Sequence, residues 1–258
     1  MERPLQGKGI VVTRPAHQAQ RLVRLIEEAG GRALRFPAIE IRDIEDPRPL
    51  EALLARLDEF DIVIFVSPNA ARKGLERIGA HRTLPAGAVV AAIGSGSRRE
   101  LARHGVKQVI VPERGFDSEA LLEQPALREV AGKRIVIFRG VGGRELLGER
   151  LAARGARVEY AECYRRARPE LDCAPLLAAW ARGEVHAVTA SSSEGLRNFH
   201  EMIGAAGRER LRATPLFVPH PRIAEAARAL GLERVQVTDP GDEGVVAALA
   251  DYFAQRAC

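Results

Sequence analysis

Short apolar runs rich in β-branched residues recur along the chain. Between them the apolar positions spread out to every third or fourth residue. Runs at 9–13, 33–36, 61–66, 88–93, 134–138, 187–190, 216–218 and 235–237 are of the first kind. They predict strands buried on both faces, as in a parallel sheet. The spaced pattern predicts helices over 16–29, 118–122, 145–154, 172–182 and 244–255, and from the turns after Ser67, Gly94, Ser191 and Pro219. Glycines at 30–31, 105, 155 and 231 close several of these helices. Residues 39–44 read as extended, Pro47 and Pro49 introduce a helix through Leu57, and 109–111 read as a short strand. Strand and helix alternate throughout, which predicts an α/β chain with parallel sheets flanked by helices.

The pattern repeats itself. DIVIFVSPNAARKGLERIG (61–79) aligns without gaps on HAVTASSSEGLRNFHEMIG (186–204), and Ser67 falls on Ser192. AAIGSGSRRELARHGV then resembles LFVPHPRIAEAARALGL with one residue of slack. Two similar α/β domains follow, each with loops at the carboxyl ends of its strands, where open α/β sheets bind ligands. Two such rims across a hinge would suit a large anionic ligand.

Composition changes this picture little. The 258 residues are 46 % hydrophobic, enough for two small cores. No apolar run is long enough to span a membrane, and the N-terminal residues lack a signal-peptide pattern. Cys163, Cys173 and Cys258 are odd in number and lack metal-ligand spacing, so a reduced, cytoplasmic protein without a metal is expected. The net charge of +5 raises nucleic-acid binding. Arginines and glutamates alternate along the helices, however, as on ordinary solvated faces, and no nucleic-acid partner is expected.

The richest stretch is KRIVIFRGVGGRELLGERLAARGARVEYAECYRR (133–166). It reads as strand, glycine turn, helix and strand. Gly140 and Gly143 between Arg139 and Arg144 would let backbone N–H groups and two guanidiniums surround a carboxylate or phosphate at a helix start. Tyr164 ends the second strand, where the chain leaves one domain for another and a cleft is expected. Ser67 and Ser192 after matched strands, and Ser97 after another, offer hydroxyls to anions or simply cap helices. Several enzyme classes lose ground. Neither Gly94-Ser95-Gly96 nor Gly140-Val141-Gly142 continues as G-x-G-x-x-G, no Walker lysine or G-x-S-x-G elbow is present, and the histidines lack metal-ligand spacing.

VVTRPA near the N-terminus, FVSPNA (65–70), IGSGSRRELARHG (93–105), the 133–166 stretch and TASSSEGL (189–196) resemble, in this order and spacing, the uroporphyrinogen-III synthase family. The resemblance covers essentially the whole chain. It implies two α/β domains, 1–37 with 169–258 and 43–163, joined by a two-stranded linker at 38–42 and 164–168. The implied reaction closes hydroxymethylbilane, a linear tetrapyrrole with eight carboxylates, to uroporphyrinogen III with ring D inverted and water lost. It also implies a cytoplasmic monomer that needs no cofactor and takes its substrate by transient contact with hydroxymethylbilane synthase.

Carried onto this sequence, the resemblance makes Tyr164 the acid for the departing hydroxyl. The alternative for Tyr164 is a linker tyrosine that packs the domains. Substrate carboxylates would meet Arg14, Ser67, Pro68, Asn69, Gly94, Ser97, Arg139, Gly140, Gly143, Arg144, Ser192 and Ser193. Pro219-His220-Pro221-Arg222 departs from the family pattern, leaving His220 and Arg222 as substitutes there. The competing class is a non-catalytic module of two lobes that closes on a small molecule. A response-regulator-like pair is weaker, because Thr13-Arg14-Pro15 stands where acidic residues are expected.

Overall fold

A computed structural model describes residues 3–79, 83–113, 115 and 117–255. Cys258 lies outside the described residues. In chain order the first elements are β1 (Gly9–Val12), α1 (Ala16–Glu28), β2 (Arg32–Arg35), β3 (Glu40–Arg42) and α2 (Arg48–Ala55). Next come β4 (Ile62–Phe65), α3 (Pro68–Gly79), β5 (Val89–Ala92), α4 (Ser95–Arg103), α5 (Ser118–Leu122) and α6 (Pro125–Arg128). Then follow β6 (Arg134–Gly140), α7 (Leu146–Ala153), β7 (Arg157–Ala167), α8 (Ala174–Ala181), β8 (Ala187–Thr189) and α9 (Ser193–Met202). The last are α10 (Gly204–Ala213), β9 (Leu216–Val218), α11 (Pro221–Ala229), β10 (Val235–Val237) and α12 (Asp242–Ala254).

The chain divides into two compact units. A split unit comprises Met1–Glu40 and Ala167–Cys258, and a continuous unit comprises Ile41–Arg166. The split unit's sheet runs β10-β9-β8-β1-β2, with every neighbouring pair parallel. The continuous unit's sheet runs β3-β7-β6-β4-β5, parallel from β7 to β5. Each sheet buries apolar side chains on both faces. In the continuous unit one face holds Leu50, Phe65, Leu75 and Phe138, and the other holds Ile64, Leu121, Ile137 and Leu151. This is why the strands read as unbroken apolar runs.

Three strands of each sheet share one register at one shift in numbering, and the fourth is offset by one residue more, since Val188 pairs with Leu216 and Val63 with Val90. Ile10, Val11 and Val12 of β1 pair with Ala33, Leu34 and Arg35. Ile135, Val136 and Ile137 of β6, 125 positions further on, pair with Val158, Glu159 and Tyr160, also 125 further on. Ile10 pairs with Ala187, and Ile135 pairs with Ile62, 125 positions before Ala187. Thus β6 and β7 in the continuous unit stand where β1 and β2 stand in the split unit, and β4 stands where β8 does. In both sheets the chain leaves the central pair in opposite directions. The reversal falls between β1 and β8 in one unit and between β6 and β4 in the other, and such switch points open a crevice at the strands' carboxyl ends.

Two helices and one strand differ from the sequence reading. Residues 109–111 form no strand, because Ile110 makes only an isolated bridge to Ala91 and Pro112 cannot donate to a ladder. Helix α10 escapes the pattern because Gly204 and Gly207 depress helix propensity. A Cβ on Gly207 would lie 2.5 Å from Ile203 Cβ and 3.2 Å from Leu177 Cδ2, so close packing requires the glycine. Helix α6 is one turn long, too short to leave a periodic signal.

Candidate functional site

Four segments at the carboxyl ends of β4, β5, β6 and β7 build the rim of the continuous unit. Phe65 stacks on Phe138, with ring centroids 4.8 Å apart. Helix α3 then lies close over this pair: a Cβ on Gly74 would stand 2.6 Å from Phe138 Cδ1. That approach carries the start of α3 against the end of β7. Ser67 Oγ accepts the Ala70 N–H at 3.0 Å, an ordinary N-cap, and lies 3.1 Å from Tyr164 Oη.

The sequence places Tyr164 at a cleft; the structure buries it. The residue is 1 % exposed and belongs to the core cluster with Phe65, Ala161 and Cys163. A β-bulge is the cause. Arg139 pairs with Glu162, but the next residue, Gly140, pairs with Tyr164 and skips Cys163. The extra residue turns Tyr164 onto the face of Ala161 and Cys163 and away from that of Tyr160. Gly140 makes room for it, because a Cβ there would lie 2.8 Å from two atoms of the Tyr164 ring. Burial raises the Cys163 thiol to about 12, and its Sγ faces Arg139 O at 3.4 Å, so this cysteine is packing.

The glycine turn is also arranged differently from the sequence reading. Arg139 and Arg144 do not act as a pair. Arg139 is 7 % exposed, donates to Glu162 Oε1 at 3.0 Å and to Gly143 O at 3.1 Å, and lies 3.8 Å from the centre of the Tyr160 ring. Arg144 is exposed. Glu145 is the N-cap of α7 and Glu149 lies in its first turn, so two carboxylates stand at this helix start beside the glycine turn. Gly142 has φ +68, a conformation that favours glycine, and Val141 at the tip is 54 % exposed. Gly143 has little room: a Cβ would lie 3.2 Å from Arg139 Cδ.

Ser97 does not cap α4. Gly94 is the N-cap, and Ser97 lies inside the first turn, 2 % exposed. Pro68 is exposed and Asn69 is 7 % exposed. The starts of α3 and α4 touch, since a Cβ on Gly96 would lie 3.2 Å from Pro68 Cγ. The structure therefore gathers Ser67, Gly140 and Tyr164 into one cluster, with Pro68 and Gly94 on the neighbouring turns.

In the split unit Thr13 Oγ1 donates to Thr189 O at 2.8 Å, and Thr189 Oγ1 donates to Val11 O at 3.1 Å, tying β1 to β8 below the rim. Arg14 forms an ion pair with Asp242 in the first turn of α12, and both side chains are largely buried. Ser192 Oγ accepts the Gly195 N–H at 3.0 Å, the same cap that Ser67 makes 125 positions earlier. The position matching Tyr164 is Ile39, whose Cδ1 would lie 3.4 Å from a Cβ on Gly195. Ser193 Oγ is buried without a partner among the described residues. His220 is the exposed N-cap of α11, with Nδ1 accepting the Arg222 N–H at 3.1 Å, and Arg222 is exposed.

Sequence reasoning missed Glu162 and Asp242, the partners of Arg139 and Arg14. Each becomes visible only once register or helix docking is known. Among the described residues no cluster of histidine, cysteine or carboxylate side chains could hold a metal ion, and no helix is long and apolar enough to cross a membrane.

The family model described as uroporphyrinogen-III synthase HemD matches residues 20–247. The chain belongs to the uroporphyrinogen-III synthase family. It is 34 % identical over 235 residues to the uroporphyrinogen-III synthase of Escherichia coli K12, covering 90 % of this chain and 96 % of that one. It is 37 % identical over 246 residues to that of Salmonella typhimurium LT2, at the same coverage of 90 % and 96 %. Among solved structures, uroporphyrinogen-III synthetase from Helicobacter pylori 26695 superposes with TM-score 0.62 at 15 % identity, covering 95 % of this chain and 99 % of that chain. A mutant uroporphyrinogen III synthase from Thermus thermophilus gives TM-score 0.60 at 21 % identity, covering 96 % and 99 %. These two structures share the two-domain α/β fold of this family member.

Proposed function

We propose that this enzyme closes hydroxymethylbilane to uroporphyrinogen III, inverting ring D and releasing water. The observation that carries this reading is the family match over residues 20–247, with relatives of that name at 34 % and 37 % identity. The chemistry makes two demands. The ring-A hydroxymethyl must lose its oxygen as water, which needs a proton. Ring D must then attack through its substituted α-carbon, forming a spiro intermediate that fragments and recloses reversed. The free activated bilane closes without inversion, so the protein's main task is to hold the two ends with the substituted carbon nearer.

Tyr164 is the proton source in this proposal, supported by its hydrogen bond to Ser67 at a switch-point rim. The phenol gives up its proton in concert with C–O cleavage. Substrate carboxylates meet the turns after β4, β5 and β6 in one unit and after β1, β8 and β9 in the other, with Arg144, His220 and Arg222 as the exposed cationic or hydrogen-bonding side chains. Arg14 and Arg139 hold the rims in shape through Asp242 and Glu162. The enzyme works as a cytoplasmic monomer and receives its labile substrate by transient contact with the synthase that makes it.

Freshly made hydroxymethylbilane, added to the protein without metal or cofactor and followed by oxidation and chromatography, tests the reading. Mostly isomer III is expected. Isomer I at the spontaneous rate would leave a two-lobed binding module instead.

A further inference from the structure

We infer that Ser67, rather than Tyr164, is the group that meets the departing hydroxyl, and that Tyr164 supplies the proton from behind it. The inference rests on the synthase reading and goes a step deeper into it. Tyr164 is 1 % exposed, while Ser67 is partly exposed at the rim, so only the serine reaches solvent and substrate. Among the described residues the Tyr164 hydroxyl has one partner, Ser67 Oγ at 3.1 Å.

The direction of the proton follows from what each oxygen can do. A hydroxyl has one hydrogen to donate and two lone pairs to accept with. If Ser67 donated to Tyr164, the phenolic hydrogen would be buried with no acceptor, a costly arrangement. If Tyr164 donates, Ser67 Oγ accepts twice, from the Tyr164 hydroxyl and from the Ala70 N–H at 3.0 Å. Its own hydrogen is then left over and aimed outward, and the chain runs from phenol to serine to rim.

The step balances. The C–O bond of the hydroxymethyl breaks with its electron pair on oxygen. The Ser67 hydrogen passes to that oxygen, which leaves as water, and the Tyr164 hydrogen passes to Ser67 Oγ. Negative charge ends on the phenolate, and positive charge is delocalised over the ring-A azafulvenium. When the macrocycle recloses, the ring-D α-carbon that forms the new bond sheds its proton, and that proton restores the phenol.

The split unit supplies an internal comparison, since Ser192 makes the same cap but the position matching Tyr164 is Ile39, which has no hydroxyl. It can bind an anion and cannot relay a proton from behind.

The test compares Ser67→Asn, Ser67→Thr, Tyr164→Phe and the Ser67→Asn/Tyr164→Phe double variant with the wild-type protein on fresh hydroxymethylbilane. Asparagine keeps a capping oxygen but has no hydroxyl to pass a proton, and circular dichroism on every variant establishes folding. Two groups acting in series predict about a 100-fold fall in kcat for either single variant, with KM nearly unchanged. The double variant should fall no further, and threonine should restore most of the rate. Ser67→Asn turning over at the wild-type rate, or a double variant that multiplies the two losses, would overturn the relay and leave Tyr164 acting directly. Wild-type protein yielding only isomer I would overturn the parent reading as well, a failure visible before any variant is made.

Discussion

The two units share four strands in the same order and the same serine cap, with the fifth strand on opposite edges, yet 125 positions apart one holds Tyr164 where the other holds Ile39. The difference teaches which features belong to the scaffold and which to the chemistry. The Ser67 and Ser192 caps occur in both units, so capping is a property of the strand-to-helix turn itself. The buried phenol and the glycine that admits it belong to the continuous unit, and the positions 125 earlier in the split unit are Ile39 and Pro15. A reaction that needs one proton at one end of its substrate fits that asymmetry.

The sharpest way to break the comparison is to remove the phenol's proton. Tyr164→Phe should lower kcat by about 100-fold or more while the protein melts within a few degrees of wild type. The equivalent change in the split unit, Ile39→Val, should cost only about 0.5–1.5 kcal/mol of stability, read by denaturant titration, and leave the isomer ratio intact. A Tyr164→Phe protein with full turnover would remove the tyrosine from the mechanism. Gly140→Ala comes next. Its Cβ meets the Tyr164 ring at 2.8 Å, so the phenol must shift. Overpacking should cost about 1–3 kcal/mol and lower kcat more than it raises KM.

Arg139→Ala should weaken folding by about 1–3 kcal/mol through loss of charge-assisted bonds to Glu162 and Gly143, with a smaller effect on turnover than Tyr164→Phe. A variant in which KM alone rose steeply would make Arg139 a substrate ligand instead.

The smallest effect separates the units by pH. Burial lowers the pKa of His186 and His200, both in the split unit. Their unfolded forms bind protons more readily, so stability is full above the unfolded value of about 6.5 and declines as pH falls from there towards the folded values. In the continuous unit, hydrogen bonds from Lys73, Arg134 and Arg56 hold Asp43, Asp61 and Glu159 below the usual carboxylate range. Their contribution is present above about pH 4 and lost only as pH falls through the depressed values. Amide exchange at pH 7 and pH 5 should therefore show the split unit's protection falling first, by less than about 1 kcal/mol.

What could be read from the sequence was whatever depends on local pattern. The apolar runs located the strands, and the match of 61–79 to 186–204 located two equivalent turns with serines that cap alike. Register and bulges stayed hidden. On alternation alone Tyr160, Glu162 and Tyr164 share a face, and only the skipped pairing at Cys163 shows that Tyr164 does not. Arg139 and Arg144 looked equivalent as flanks of the glycines, because nothing local says that Glu162 stands across the ladder from Arg139 alone.

The split unit has a kinetic consequence. Strand β1 pairs with β8, and the amide of Gly9 with the ring of His186, across 177 residues. All of the continuous unit's strands are made in between. At roughly 5–20 residues per second, β1 waits about 9–35 s on the ribosome with one edge uncovered. An uncovered edge is an invitation to pair with the wrong strand. Changes that make β1 stickier should therefore lower the yield of soluble protein during synthesis, even where the finished enzyme is as stable as before.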